Sequence, residues 1–87
     1  MEEAKLEPLT GVYELAPNFQ LTITREGASL FAQATGQPKF PLFAEAETEF
    51  FLKVVDAQVS FIKDANGQFN SLVLHQGGAN IPGKRVE

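Results

Sequence analysis

The stretch Phe19-Gln20-Leu21-Thr22-Ile23-Thr24-Arg25-Glu26-Gly27-Ala28-Ser29-Leu30-Phe31-Ala32-Gln33-Ala34 decides the fold class. Phe19, Leu21 and Ile23 alternate with Gln20, Thr22 and Thr24, the period-two pattern of a strand with one apolar and one wetted face. Glu26-Gly27 supplies a turn in which glycine can take positive φ. Ser29 to Ala34 then returns as the partner strand, with Leu30 and Ala32 on one face. Read together, these residues are a β-hairpin.

The same grammar continues downstream. Thr35-Gly36-Gln37-Pro38 is a break, and Lys39-Phe40-Pro41-Leu42-Phe43 has strand composition. Pro41 has no amide to give to a ladder, which predicts an edge or a bulge there. Phe50 to Val55 predicts a strand buried on much of both faces, followed by a turn at Asp56-Ala57. Val59 and Phe61 alternate with Gln58 and Ser60 in the next strand, 58–63. Asn66-Gly67 between two alternating runs is a strong hairpin signal. In the strand that follows, Gln68 to His75, the apolar positions Phe69, Leu72 and Leu74 change parity, which predicts a bulge near Asn70. Gly77-Gly78 ends that strand, and Ile81 to Val86 gives a short last one.

No window of a dozen residues holds a capped helical stripe. The chain therefore reads as all-β: an antiparallel up-and-down meander of seven to eight strands that closes, or half-closes, into a small barrel. An open sandwich is the alternative. The acidic opening through Glu7-Pro8 reads as a linker or poorly ordered arm, residues 1–8, leaving residues 9–87 as one domain.

Composition narrows the function classes. Hydrophobic residues are 44% of the chain and eight are Phe, which lets a short chain fill a core without disulfides; it has no Cys. Lacking Cys, it has no thiolate metal ligand or cysteine nucleophile. Seven basic residues stand against eleven acidic ones, and the basic ones are scattered, so nucleic-acid binding is not expected. No apolar run approaches the ~20 residues of a membrane helix, and membrane insertion is not expected either. Met1-Glu2-Glu3-Ala4-Lys5 reads as an initiating Met on a fragment boundary rather than as a signal peptide.

Three groups of residues could carry chemistry. Ser60-Phe61-Ile62-Lys63 matches Ser-x-x-Lys, the nucleophile tetrad of serine β-lactamases and penicillin-binding proteins. That tetrad works on a helix, where positions three apart share a face. In a strand, the two side chains point to opposite faces from Cα atoms about 10 Å apart, so catalysis by Ser60 is not expected. His75 is the sole histidine, and no nucleophile, carboxylate or metal-ligand set stands at a recognisable spacing from it. Glu45, Glu47 and Glu49 alternate and would share a face, which reads as a charged edge that discourages strand pairing. Neither a cofactor nor a nucleotide-binding loop is indicated, since Gly77, Gly78 and Gly83 fit no phosphate fingerprint.

The run Gly11-Val12-Tyr13-Glu14-Leu15, the segment Phe19 to Gly27, and Leu30-Phe31-Ala32-Gln33-Ala34-Thr35-Gly36-Gln37-Pro38 carry a resemblance. Phe50-Phe51, Val59-Ser60-Phe61, Asp64 with Gly67, and Leu72-Val73-Leu74-His75-Gln76-Gly77 extend it across most of the chain. The sequence resembles a bacterial domain of unknown function that follows the catalytic domain of many β-lactamase-like serine hydrolases, relatives of penicillin-binding proteins and D-alanyl-D-alanine carboxypeptidases. That family often carries a Tyr two residues before its first glycine, where this chain has Leu9. The resemblance implies a small lipocalin-like barrel with no catalytic residues of its own. It also implies an exported parent, periplasmic or extracellular, whose catalytic domain is the partner in the same chain.

The expected role is thus a non-catalytic C-terminal accessory module that modulates substrate access, assembly or stability. The alternative is a barrel binding an apolar or peptidoglycan-derived ligand, through a cavity opening near Gly36-Gln37-Pro38 or Gly77-Gly78. The surface expected to take a ligand or dock a partner is drawn around Tyr13, Gln33, Gln37, Phe43 and His75.

Overall fold

The computed structural model describes residues 6–46, 48–53 and 56–86. A one-turn 3-10 helix, Glu7–Leu9, precedes eight strands: β1 Gly11–Ala16, β2 Phe19–Glu26, β3 Ser29–Ala34, β4 Lys39–Ala46, β5 Glu49–Leu52, β6 Ala57–Lys63, β7 Phe69–Gln76 and β8 Ala79–Arg85. Each pairs antiparallel with the next, and β8 returns to β1, closing the barrel in sequence order. The seam places Tyr13 opposite Arg85 and Glu14 opposite Lys84. Beyond it, the Val86 N–H donates to the Val12 carbonyl at 2.8 Å. Among the described residues no helix is long and apolar enough to cross a membrane.

Alternation decides what is inside. Tyr13, Leu21, Ile23, Leu30, Ala32, Leu42, Phe50, Ala57, Val59, Phe61, Leu72 and Leu74 form one buried cluster, while their sequence neighbours turn outward. Three aromatic rings anchor it. Phe61 meets Tyr13 edge-on with centroids 5.9 Å apart and Phe50 edge-on at 5.6 Å, geometries that favour aromatic pairs. Gly83 fills an inward position of β8 because space has run out there: a Cβ would lie 3.0 Å from Leu15 Cγ.

The two ends differ. At the end that carries the β2–β3, β4–β5 and β6–β7 connections, Leu6 and Leu9 fold over the opening and join the buried cluster. Pro8 suits this first turn, where a missing N–H costs nothing. The Tyr13 hydroxyl donates to the Leu9 carbonyl at 2.9 Å, and the Arg25 guanidinium meets the Glu7 carboxylate at 2.6 Å. The portion of the expected arm that is described, Leu6 to Pro8, is therefore a stopper belonging to the barrel. Residues 1–5 lie outside the described residues.

One expectation is met in detail: Ile62 faces Ser71 and Lys63 faces Phe69, which leaves Asn70 as the extra residue of a bulge. Pro41 is not on an edge, because the closed barrel sets β4 between β3 and β5; it lies opposite Phe31, and the register shift in β4 falls between Ala44 and Ala46. Other details differ. Ala57 opens β6 instead of completing a turn, and β8 starts at Ala79, earlier than Ile81. Phe50 is buried but Phe51 is half-exposed, so β5 is a one-faced strand. Val54 and Val55 lie outside the described residues. The Asn66-Gly67 turn belongs to a longer loop in which the Asp64 carboxylate accepts the N–H groups of Asn66 at 2.8 Å and Gln68 at 2.9 Å.

Candidate functional site

Outward positions of a barrel in water are expected to be polar, and one wall departs from this rule. Phe31 on β3 stands opposite Pro41 on β4, and Phe43 on β4 stands opposite Phe51 on β5. All four are half-buried, and the Phe43 and Phe51 rings lie 5.7 Å apart at 36°. Two cations cover part of the wall: the Lys39 ammonium lies 5.0 Å from the Phe31 ring centre and Lys53 lies 4.2 Å from that of Phe43. Lys39 also pairs with Glu26. Phe43 is the expected surface residue that falls in this wall. Gln33 lies beside it, exposed, with its side-chain amide donating to the Gln37 carbonyl at 3.2 Å.

A second arrangement lies on the outside of β6, β7 and β8. The Ser60 hydroxyl is 3.0 Å from His75 Nε2, and His75 Nδ1 is 2.6 Å from Asn80 Oδ1. Register creates it: His75 is directly opposite Asn80 on β8 and Gln58 on β6, putting Ser60 on the diagonal. Gly77 and Gly78, at φ 58° and 83°, make the tight turn that sets His75 against Asn80. Because Asn80 Oδ1 can only accept, the hydrogen between it and His75 belongs to Nδ1, and in the tautomer that leaves Nε2 bare the Ser60 hydroxyl donates to Nε2.

His75 thus has partners that spacing in the sequence did not suggest. The order Ser–His–Asn has the polarity of a nucleophile, a base and an orienting group. Its surroundings, however, are those of a flat sheet. The N–H of Phe61, the amide that follows the hydroxyl, donates to the Thr48 carbonyl at 2.8 Å and is not free to hold an oxyanion. Lys63 is turned to the Phe69 ring, 5.3 Å from its centre. As built, the chain of hydrogen bonds ties three strands together.

The third feature is the end of the barrel opposite the stopper. A cavity of about 120 Å³ opens there, lined by Phe19, Leu21, Ala32, Ala34, Phe40, Leu52, Ala57, Val59 and Leu74, with Gln37 and Gln76 among its walls. It lies beside Gly36-Gln37-Pro38, one of the two openings the sequence suggested.

The remaining candidates are scattered. Tyr13 is fully buried and so belongs to the core, not to a surface. Burial pushes its phenol pKa up, against a smaller opposing pull from Arg85. Glu45 is exposed and accepts from the Gln58 amide at 3.3 Å; Glu49 is exposed, and Glu47 lies outside the described residues. Because the sheet closes, β4 and β5 are not the outer edge that the glutamates were expected to guard. Among the described residues no three His, Cys, Asp or Glu side chains gather as metal ligands.

These features define a class: small closed antiparallel barrels, stoppered at one end and open at the other. The chain belongs to the family described as domain of unknown function DUF3471, which matches residues 1–85. No curated protein and no solved structure matches it.

Proposed function

We propose that this barrel is a non-catalytic accessory module of an exported β-lactamase-like serine hydrolase, positioned by its outer wall against the catalytic domain of the same chain. The observation that carries the reading is the row Phe31, Pro41, Phe43 and Phe51 on β3 to β5. Apolar side chains on the outside of a barrel add nothing to its own core, and a contiguous apolar patch is the ordinary signature of a contact surface. Lys53 borders the patch and supplies a cation to match a carboxylate on the partner. The hydrolase context comes from the resemblance of the sequence.

The test is hydrogen exchange on the full-length protein beside the isolated barrel. Docking predicts slower exchange across β3, β4 and β5 in the full-length chain, reversed by Phe43→Ser together with Phe51→Ser. Identical exchange in the two samples would refute docking. A full-length chain without a Ser-x-x-Lys helix would refute the hydrolase context.

A further inference from the structure

The geometry points to a binding site for a small neutral molecule in the open end of the barrel. Its apolar end occupies the cavity and its polar head hydrogen-bonds at Gln37 and Gln76. The hollow exists because of three small residues. Ala32 and Ala34 on β3 and Ala57 on β6 face inward in this half, whereas Tyr13, Phe50 and Phe61 fill the stoppered half. With larger side chains at those positions, the barrel would be solid throughout.

Size and lining set the class of ligand. An apolar cavity of ~150 Å³ stays dry and admits benzene. One of about 120 Å³ with an open mouth takes a single ring or a short alkyl chain. Among the described residues no charged side chain lines it, and an ion moved inside would lose hydration without a partner, so the inserted part is uncharged. The two carboxamides each offer a donor and an acceptor, which suits an alcohol, amide or ester head.

The mouth is already formed. The Thr35 N–H donates to the Gln20 carbonyl at 3.0 Å, and the Gln20 N–H returns to the Thr35 hydroxyl at 2.9 Å. The Gln37 N–H donates to the Ala34 carbonyl at 3.0 Å, and the Gln33 side chain holds the Gln37 carbonyl from the other side. A rim fixed in this way loses little freedom when a ligand arrives. The site lies inside the barrel while the docking wall lies outside, so the inference goes beyond that reading, and separate variants test the two.

The experiment titrates hexan-1-ol and benzyl alcohol into the ¹⁵N-labelled chain and follows its amide resonances. Expected are saturating shifts at Ala32, Ala34, Ala57, Val59 and Leu74, with a Kd on the order of 1 mM, ordinary for ligands this small. Ala57→Leu, which fills the hollow, should weaken binding at least about tenfold without lowering the melting temperature, since it adds buried apolar surface. Ala34→Leu is the second filling variant should the first not fold. Phe43→Ser, on the outer wall, should bind as the parent does. Shifts that grow linearly without saturating, that appear only on the outer wall, or that persist in a folded filling variant would each overturn the site, as would no shift at all.

Discussion

Replacing Tyr13 by Phe separates the two things this residue does. Its ring packs against Phe61 and stays; its hydroxyl, which donates to the Leu9 carbonyl at 2.9 Å, is lost. An ordinary hydrogen bond contributes about 0.5–1.5 kcal/mol net, and a buried acceptor left bare costs somewhat more. The variant should therefore lose about 1–2 kcal/mol near neutral pH. For a domain of this size, each kcal/mol moves the melting temperature by roughly 4–8 °C, so a fall of about 5–15 °C is expected. The alkaline limb gives a second, independent reading. Burial holds the folded phenol above its ordinary pKa of 10.0, with Arg85 opposing. Above that pH the unfolded chain gives up the proton first, so unfolding releases a proton and stability falls as pH rises towards the folded pKa. The full contribution is present below 10.0, and the difference between parent and variant should shrink above it. Thermal melts followed by circular dichroism from neutral pH to about pH 11 measure both effects. Tyr13 is the only tyrosine, so tyrosinate absorbance reports its ionisation directly. A variant melting within about 1 °C of the parent, with an unchanged alkaline limb, would refute the stopper argument.

Two further outcomes follow from the exterior. The Asp64 carboxyl is held below its usual 3.8, chiefly by the N–H of Gln68, against a smaller opposing effect of desolvation, and then by the N–H of Asn66, the Asn70 side chain and the N–H of Gly67. Its stabilising effect is present above pH 3.8 and is lost as pH falls through the lower folded pKa, and Asp64→Asn should remove that step from the acid limb. A carbon-detected NMR titration placing Asp64 at or above 3.8 would contradict the loop geometry. In the neutral ring of His75, ¹⁵N shifts should show Nδ1 protonated and Nε2 bare, and Asn80→Ala should raise the share of the other tautomer. A native spectrum with the proton on Nε2 would mean that Asn80 does not orient the ring.

Local rules carried most of the barrel. Phe19, Leu21 and Ile23 alternate because one face of β2 must be dry, and the parity change after Phe69 marks the Asn70 bulge for the same reason. Features set by two or more strands were less legible. Ser60, His75 and Asn80 meet only once the register of β6, β7 and β8 is fixed, and no spacing along the chain encodes that diagonal. Asn80 was missed for this reason, although the Gly77-Gly78 turn, read as a two-residue hairpin, already pairs it with His75. Phe51 looked like core because a run of apolar residues hides which face is which. The stopper was read as an arm, yet Leu6 and Leu9, three apart around Glu7-Pro8, carry the spacing of one helical turn. The cavity was anticipated only as a place, since whether alanines leave a void depends on what faces them across the barrel.

Closure has one more consequence. Because β8 lies against β1, the first and last described segments of the chain are neighbours, joined by the bond from Val86 to Val12. Within the described residues the strands form a ring with a single covalent nick, between β8 and β1. A short peptide could seal that nick and a new one could be opened at the exposed turn around Asn66, leaving every strand beside the same two companions. For the same reason, such a unit can be spliced into a loop of another protein without its host having to spread apart to receive it.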